Sequence, residues 1–410
     1  MISVAEARAR IVSALKPVSS ETVALALAAG RVLAEDVRAR LTQPPTAVSA
    51  MDGYAVRAAD VATVPATLRV IGAAPAGTAY PGIVGPGEAV RIFTGGPVPK
   101  GADTIVIQEN AEVPDISASG GGAVTVRVGA PVGRYIRPAG LDFRVGDVGL
   151  DAGRALTARD IGMAAAMNVP WLNVRRRPRI ALLATGDELV RPGDPVAANQ
   201  IVSSNALALA ALLAANGAEA IDLGIARDDR AALQTAAARA EGADLLITMG
   251  GASVGEHDLI QSALGEAGLA IDFWRVAMRP GKPLMFGRFR ETAMLGLPGN
   301  PVSSLVCGLV FVVPAVRALL GLPADGAAVE PAVLGCDVAE NDEREDYLRA
   351  AYSATGTDPR RATPNEKQDS SMLSTLAKAE CLIVRPPHAP PARAGDAVAV
   401  IPLAPAPIVF

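Results

Sequence analysis

Two loops of this chain carry pairs of acidic residues beside glycines. The segment TGDELVRPGD contains Asp187 and Glu188, and the segment GGASVGEHD contains Glu256 and Asp258. Glycines allow backbone N–H groups to approach a phosphate or a flat ring closely. Carboxylates beside such an anion site are typical of Mg²⁺, which binds a few carboxylates together with substrate phosphate oxygens. For either loop taken separately, solvated acids in a tight turn are the alternative.

A third loop, LPGNPVSS at residues 297–304, has the residues of a helix start. Asn300 is a favourable N-cap and Pro301 a favourable first helical residue. The unpaired N–H groups of the following helix, together with the hydroxyls of Ser303 and Ser304, would form an anion site. An ordinary capped helix is the alternative interpretation.

Three basic residues follow a predicted strand in the segment WRVAMRPGK, namely Arg275, Arg279 and Lys282. They are expected at the same rim of the predicted sheet, where they could bind an oxyanion or a phosphate. A solvated basic edge is the alternative. The chain has a net charge of −4, so an anionic ligand must meet a local basic cluster, and non-specific nucleic-acid binding is disfavoured.

The sequence offers little for zinc or for a catalytic triad. Its three cysteines and two histidines are far apart, without metal-ligand or redox spacing, so any metal is expected on oxygen ligands. The stretch GASVG matches a serine nucleophile elbow around Ser253. A hydrolase also needs a base, and neither His257, four residues away, nor His388, in PPHAPP, looks like one on a rigid scaffold.

The elements that position these loops alternate between strands and helices from Arg179 onward, which predicts a parallel sheet covered on both faces. In such sheets, ligands bind where strands end and helices begin. Strands are predicted at 180–184, 220–223, 244–249, 271–276 and 292–297, and helices at 205–215, at 230–240, from about 259 and from 300.

The chain has 410 residues, too many for one ordinary hydrophobic core, so two to four domains are expected. Residues 1–45 predict two helices, beginning at a capping box of Ser3 and Glu6. Residues 46–140 are rich in Gly, Pro and Val and predict a β-rich domain inserted into a helical one. After Pro323 short strands predict a β-barrel.

The run 305–320 is too short and interrupted to span a bilayer, and the N-terminus has no signal core, so a cytoplasmic protein is expected.

Taken together, these loops resemble the MoeA family of molybdopterin molybdenumtransferases, to which the E domain of gephyrin is related. The resemblance covers essentially the whole chain in order. Its motifs are SAMDGYAV at 49–56, TGGPVPKGAD at 94–103, GLD at 140–142, ATGDEL at 184–189, SN at 204–205, RDD at 227–229, GGASVGEHD, RPGKP, GLPGNPVSS, DYLRA at 346–350 and QDS at 368–370.

The resemblance implies an α/β multidomain fold and a homodimer. The expected domains are an elongated helical domain (1–45 and 141–178), an inserted β-rich domain (46–140), a parallel-sheet molybdopterin-binding domain like the companion adenylyltransferase (179–322) and a C-terminal β-barrel (323–410). It also implies an enzyme that inserts molybdenum from molybdate into adenylylated molybdopterin, with Mg²⁺-dependent release of AMP. The pterin's own dithiolene sulfurs would hold the molybdenum. The adenylyltransferase itself is a possible partner, and neither nucleic acid nor membrane is expected as one.

The residues and the resemblance together give a candidate site. The resemblance implies that the partner subunit delivers Asp52 and Thr94 to the cleft. The expected catalytic residues are Asp52, Asp142, Glu188 and Asp258, and the expected metal ligands are Asp187, Glu188 and Asp258. The expected substrate-binding residues are Thr94, Asp228, Gly250, Gly251, Ser253, Arg275, Arg279, Lys282, Pro298, Asn300, Pro301, Arg349 and Ser370.

The chain departs from the family pattern at several positions. Arg275 and Arg279 stand where lysine is frequent, and Asp369 stands where glycine is usual, which puts the role of Ser370 in doubt. Two other functions use related folds. A non-catalytic scaffold of the gephyrin type could lose its acids, yet they persist here, and an adenylyltransferase needs only the parallel-sheet domain.

Overall fold

The computed structural model describes residues 1–112, 122–250, 259–353 and 360–403. The first helix begins where the sequence predicts, because the Ser3 hydroxyl accepts a hydrogen bond from the Glu6 backbone N–H at 3.1 Å. The elements up to residue 178 are α1 (Val4–Ala14), β1 (Ser20–Ala24), β2 (Val37–Arg38), β3 (Val48–Ser49), β4 (Gly53–Val56), β5 (Ala66–Ala74), β6 (Glu88–Ile92), β7 (Thr104–Ile107), β8 (Ala111–Glu112), β9 (Gly122–Val126), β10 (Ile136–Arg137), β11 (Val148–Leu150), α2 (Ala158–Ala166) and β12 (Trp171–Arg175).

The second helix predicted within residues 1–45 is wrong. That stretch forms strand β1 and a short 3-10 helix, Leu25–Leu27. β1 pairs antiparallel with β12, so that Ser20 lies opposite Arg175. The strand exists because a partner about 150 residues away in the chain satisfies its backbone groups, which local sequence cannot reveal. Helix α2 lies within residues 141–178, where the helical domain was expected to continue, and it has a capping box between Thr157 and Asp160.

The β-rich character predicted for residues 46–140 is confirmed. Its main sheet has the strand order β7-β4-β6-β5-β9-β8. Tyr54, Val56 and Val106 lie in the core on one face, and Ile92 and Ile105 in the core on the other. Asp52 and Thr94 lie beside the adjoining ends of β4 and β6, two neighbouring strands inside this sheet.

The central α/β region has a six-stranded sheet in the order β16-β13-β17-β21-β20-β18. Its strands are mainly apolar and buried, with helices on both faces, as the sequence predicts. The elements are β13 (Arg179–Thr185), β14 (Leu189–Val190), β15 (Ile201–Val202), α3 (Asn205–Ala215), β16 (Glu219–Ala226), α4 (Arg230–Ala238), β17 (Leu245–Met249), α5 (Leu259–Glu266), β18 (Leu269–Trp274), β19 (Met278–Arg279), β20 (Met285–Phe289), β21 (Thr292–Leu297), α6 (Pro301–Cys307), a π-helix (Gly308–Val312) and α7 (Val313–Leu319).

One strand of this sheet corrects the all-parallel prediction. β20 runs antiparallel to both β18 and β21. It forms a hairpin with β21, and Arg290 at the turn has a φ of 54°. The backbone of Ala270 approaches Gly287 so closely that an added Cβ would lie 2.3 Å from its carbonyl oxygen. The strand therefore contains a glycine, which obscures its pattern in the sequence.

The helical stretch 301–319 is longer than the apolar run considered in the sequence. Its mean hydropathy of 2.1 and its 19 residues would suffice to cross a membrane, but 72% of it is buried inside the protein. Val302, Val306, Phe311 and Val316 contribute to the main core, which also contains the side chains on one face of the sheet. The stretch is therefore a core helix on which the central sheet packs.

The C-terminal region forms the predicted barrel. Its elements are β22 (Glu330–Leu334), β23 (Glu345–Tyr352), β24 (Arg361–Pro364), α8 (Leu373–Lys378), β25 (Cys381–Arg385) and β26 (Ala397–Pro402). The strands follow the order β23-β24-β22-β26-β25, and β25 pairs again with β23, which closes the barrel. β19 adds to β23 from outside, with Arg279 opposite Asp346. This pairing joins the barrel to the central region.

Candidate functional site

The described residues form a cleft of about 940 Å³ at the carboxyl ends of the central strands, closed on one side by the barrel. This is the rim where ligands bind in sheets of this kind. The cleft is lined by residues 184–186, 188, 189, 201–205, 228, 249, 250, 278–283, 298–301, 303, 344 and 368–371. The sequence predictions that reach it are Glu188, Asp228, Gly250, Arg279, Lys282, Pro298, Asn300, Pro301 and Ser370.

Glu188 and Asp228 line one wall of the cleft, whereas the neighbouring Asp187, predicted as a metal ligand, is not among the lining residues. Asp187 and Glu188 follow β13 directly, and Asp228 follows β16, the adjacent strand. The Asp187 carboxylate accepts a hydrogen bond from the Asp228 backbone N–H at 3.2 Å. Partial burial, with the nearby charges of Asp187 and Glu188, raises the pKa of Asp228. The cluster therefore carries negative charge that its own neighbours do not neutralise.

Two glycines let the backbone turn beside this wall. Gly186 has a φ of 148°, and a Cβ there would lie 2.5 Å from a carboxylate oxygen of Glu188. Gly250 has a φ of 99°, and a Cβ there would lie 2.6 Å from the Thr185 carbonyl oxygen. Side chains at either position would clash, so both glycines are needed for the shape of the cleft.

The acidic residues near the cleft are of the type that the predicted Mg²⁺ would need. Asp187, Glu188 and Asp228 supply hard oxygen donors, and neither Asp187 nor Glu188 has an ion-pair partner in the described part of the chain. Among the described residues, no group of three or more acidic, cysteine or histidine side chains is arranged to hold a metal ion. The Mg²⁺ site therefore stays a prediction, in which waters and substrate oxygens would complete the ligands.

Basic side chains lie on the opposite wall. Arg279 and Lys282 line the cleft as predicted, and Arg344 of the barrel joins them. Lys282 has no ion-pair partner among the residues described, whereas Arg279 pairs with Asp346 and lies 3.5 Å from Asp342. The barrel therefore partly compensates the charge of Arg279, and its predicted contact with an anion stays a prediction.

Arg275 does not line the cleft, contrary to the prediction that placed all three basic residues there. Its guanidinium stacks over the Trp274 ring at 4.3 Å, and its backbone N–H donates to the Leu284 carbonyl. Its φ of 77° turns the chain immediately after β18. The turn and the stacking direct this side chain away from the cleft.

The LPGNP loop is where the sequence placed it, but its helix start is not an open anion site. Asn300 is the N-cap without a side-chain capping bond, and its amide instead donates to the Ser370 hydroxyl at 2.8 Å. The Val302 N–H donates to the Ser370 carbonyl at 3.1 Å. Segment 368–371 therefore occupies donors predicted for a ligand, while Ser303 still faces the cleft. The loop is fixed from the other side by Asn205, which donates to the Gly299 carbonyl at 2.7 Å.

Ser370 reaches the cleft although Asp369 replaces the usual glycine. The Asp369 carboxylate accepts hydrogen bonds from the N–H and the hydroxyl of Ser371, at 2.8 and 2.6 Å. This local turn holds the segment without glycine. Ser370 therefore lies in the cleft lining, as predicted, despite the aspartate before it.

Arg349 lies beneath the cleft and not in its lining. It is fully buried, and its Nε and Nη2 have no hydrogen-bond partner among the described residues. Its backbone N–H and carbonyl both bond to the Gln368 side-chain amide, at 3.0 and 2.9 Å. Burial lowers the pKa of its guanidinium. The residue thus holds a buried positive charge under the segment that carries Ser370.

Asp52, Thr94 and Asp142 lie apart from the cleft lining of this chain. The Asp52 carboxylate accepts hydrogen bonds from the Thr94 N–H and hydroxyl, at 2.7 and 2.8 Å. These bonds, with the charge of Arg91, lower the pKa of Asp52. Asp142 is exposed, and its N–H donates to the Gln43 carbonyl at 3.0 Å.

The remaining predicted residues, Gly251, Ser253 and Asp258, lie outside the described residues, as do Glu256 and His257. His388, the other base considered for a hydrolase, is on a barrel turn and does not line the cleft. Sequence reasoning missed Arg344 and Gln368 as site residues. Gln368 had a signal in the tail motif, but Arg344 had none, since only the pairing of β19 with β23 brings its segment to the rim.

Comparison with known proteins agrees with this architecture. Three family models match in order: the MoeA N-terminal region (domain I and II) at residues 2–168, a probable molybdopterin binding domain at 181–318, and the MoeA C-terminal region (domain IV) at 331–403.

Relatives and solved structures give the same result. A molybdopterin molybdenumtransferase of Haemophilus influenzae is 33% identical over 409 residues, covering 98% of each chain. One of Nostoc sp. is 40% identical over 338 residues, covering 80% of this chain and 76% of its own. The crystal structure of a molybdopterin biosynthesis MoeA protein from Pyrococcus horikoshii superposes with a TM-score of 0.84 at 28% identity, covering 99% of this chain and 100% of its own.

Proposed function

The chain belongs to the MoeA family, and from this premise we propose that it is the molybdopterin molybdenumtransferase of its cell, which completes the molybdenum cofactor. The observation that carries the proposal is a single cleft with an acidic wall and a basic wall at the carboxyl rim of the sheet. The proposed substrates are adenylylated molybdopterin and molybdate, and the products are AMP and the molybdenum-loaded pterin.

The charge arrangement supports this choice of substrates. Molybdate and the phosphates of the adenylylated pterin are anions, and Lys282 with Arg279 offers them positive charge in a protein of net charge −4. The volume of about 940 Å³ is in the range of small-molecule sites. A dithiolene substrate binds molybdenum through its own sulfurs, so the scattered cysteines are no obstacle.

Asp187, Glu188 and Asp228 would hold Mg²⁺ in this proposal. When bound, the ion supplies electrostatic stabilisation of phosphate oxygens as AMP is released. Glu188, which is exposed and lines the cleft, would be one of the ligands that hold the ion beside the substrate. Lys282 neutralises the anion opposite, and the Asn300–Ser370 contact keeps the barrel segment against the substrate. Asp258, predicted to complete the ligands, lies outside the described residues.

The proposal includes a homodimer in the cytoplasm. Asp52 and Thr94 form a hydrogen-bonded pair with a charged carboxylate, yet they do not line the cleft of their own chain. A partner subunit that brings this pair to the cleft would complete the site. The adenylyltransferase that makes the substrate is the proposed delivery partner.

The function can be tested with purified protein, adenylylated molybdopterin, molybdate and Mg²⁺. AMP release by chromatography and activation of a cofactor-free molybdoenzyme are the two readouts, and both should require molybdate. Glu188→Gln serves as the inactive control. If the protein instead consumes ATP and molybdopterin and releases pyrophosphate, the adenylyltransferase alternative is correct. No turnover of either substrate, with the fold intact, would favour a scaffold.

A further inference from the structure

Arg344 is the basic residue of the cleft that nothing in the sequence identified. It lies on the barrel, directly before β23, and its side chain is 24% exposed. Its Nε lies 3.1 and 3.2 Å from the two carboxylate oxygens of Asp342, and its Nη2 donates to the same carboxylate. This fork uses one edge of the guanidinium. The Nη1 edge has no partner in the described ranges.

Arg344 and Arg279 are held together by a shared scaffold. Asp342 accepts from Arg344 and lies 3.5 Å from the Nη1 of Arg279. Asn341, which is buried, accepts from the Nη2 of Arg279 at 3.2 Å and donates to the Arg344 carbonyl at 2.6 Å. The same Asn341 amide also donates to the carbonyls of Arg385 and Pro386, which fixes it to the barrel.

Two arginines at a cleft wall repel one another unless an anion lies between them. Asp342 and Asp346 supply anions on the protein side. Both arginines line the cleft, and the Nη1 of Arg344 has no partner within the described ranges. Planar guanidinium groups fixed in this way match the oxygens of a tetrahedral oxyanion, and little side-chain entropy is lost on binding. Holding such a pair at the cleft is therefore typical of phosphate or oxyanion recognition.

We propose that Arg344 contacts the substrate, forming with Arg279 a prearranged clamp for a tetrahedral oxyanion, either the phosphate group of the adenylylated pterin or molybdate. This inference rests on the proposed function, because it assigns a ligand group to the same cleft. Asp342 and Asn341 act as positioning residues for the clamp. The barrel thereby supplies a direct substrate contact in addition to closing the cleft.

The test compares anion binding to the full-length wild type, Arg344→Gln and the control Arg69→Gln. Gln retains a donor for Asp342 but removes the charge, and Arg69 pairs with Glu88 on the inserted sheet, away from the cleft. Isothermal titration with AMP and, separately, with molybdate gives the dissociation constants. Arg344→Gln should raise one of them about ten- to a hundredfold, as expected for a lost charge-assisted contact. The affected ligand identifies the anion.

Several outcomes separate the two proposals. If wild type binds AMP and molybdate while Arg344→Gln binds both within twofold of it, the clamp is wrong and the function stands. If wild type binds neither anion, both the proposed function and the clamp are wrong. A merely structural Arg344 would lower the melting temperature of Arg344→Gln and leave both dissociation constants unchanged. Arg344→Lys, which keeps the charge without the fork, should recover part of the affinity and excludes general misfolding.

Discussion

Replacing Arg279 by alanine tests whether its main partner is the barrel or the solvent. Asp346 is 3% exposed, and one of its carboxylate oxygens accepts from Arg279, while the other has no hydrogen-bond partner in the part of the chain that the structure describes. Arg279→Ala would leave a buried carboxylate without its counter-charge. Breaking a fully buried pair costs about 3–5 kcal/mol. The Arg279 side chain is 46% exposed, so solvent screening lowers the expected loss to about 1–3 kcal/mol.

The loss should depend on pH with a defined sign. Burial raises the pKa of Asp346 even with Arg279 present, and losing Arg279 raises it further. A carboxyl group with a folded-state pKa above its unfolded value destabilises the fold once it is charged. The deficit of Arg279→Ala is therefore greatest above that folded-state pKa, and it shrinks as acid protonates Asp346.

The assay is thermal unfolding of wild type, Arg279→Ala, Asp346→Asn and the double variant at pH 5 and pH 8. Asp346→Asn should restore most of the stability that Arg279→Ala loses, because it removes the stranded charge. Arg279→Lys should be intermediate, since lysine cannot reproduce the fork. Arg288→Ala is the control, because it removes only exposed contacts with Glu291, an ion pair and a hydrogen bond to its carbonyl. Equal melting temperatures for Arg279→Ala and Arg288→Ala at both pH values would refute this reasoning.

Three further predictions concern the acidic residues. Glu188→Gln should cut molybdenum insertion strongly at limiting Mg²⁺ while the melting temperature stays at the wild-type value, and full activity at limiting Mg²⁺ would contradict the metal assignment. The pKa of Asp228 is raised. As the pH is lowered, Mg²⁺ affinity should therefore begin to fall at a higher pH than an ordinary aspartate would give. Calorimetry of Asp228→Asn should show weaker binding without that early fall, and an unchanged pH profile would count against a role for Asp228. When Asp52→Ala and Glu188→Gln subunits are mixed, the heterodimers should regain some activity. If no activity returns although subunit exchange is demonstrated, a cleft shared between subunits is excluded.

The sequence predicted the central sheet well because its signals are local. Apolar runs followed by capped, apolar helices identify β13, α3, β17 and β21 without knowledge of their neighbours. Two strands that it did not predict, β1 and β20, lack a local signal for different reasons. β1 needs β12 about 150 residues away, and β20 contains Gly287 against the backbone of Ala270, which weakens its apolar alternation.

The residues of the candidate site likewise divide into those with a local sequence signal and those placed by long-range contacts. Glu188, Lys282 and Asn300 were found because each lies in a loop directly after a strand. Arg344 and the partners of Arg279 could not be found, because the pairing of β19 with β23 sets them, and no local pattern records that register. The same long-range contact explains why Arg279 looked like a free cation in the sequence and is tied to Asp346 in the fold.

The distribution of charge gives the barrel a part in the chemistry. The acidic wall comes entirely from strand ends of the central sheet, whereas the basic wall combines Lys282 with Arg279, which the barrel orients, and with Arg344, which the barrel supplies. A protein with only the parallel-sheet domain would keep the acids and the LPGNP loop. It would lose Arg344, the orienting partners of Arg279 and the Ser370 contacts to Asn300 and Val302. The added domain therefore converts an acidic rim into a two-sided site, which is what the proposed reaction between two anions beside Mg²⁺ would require.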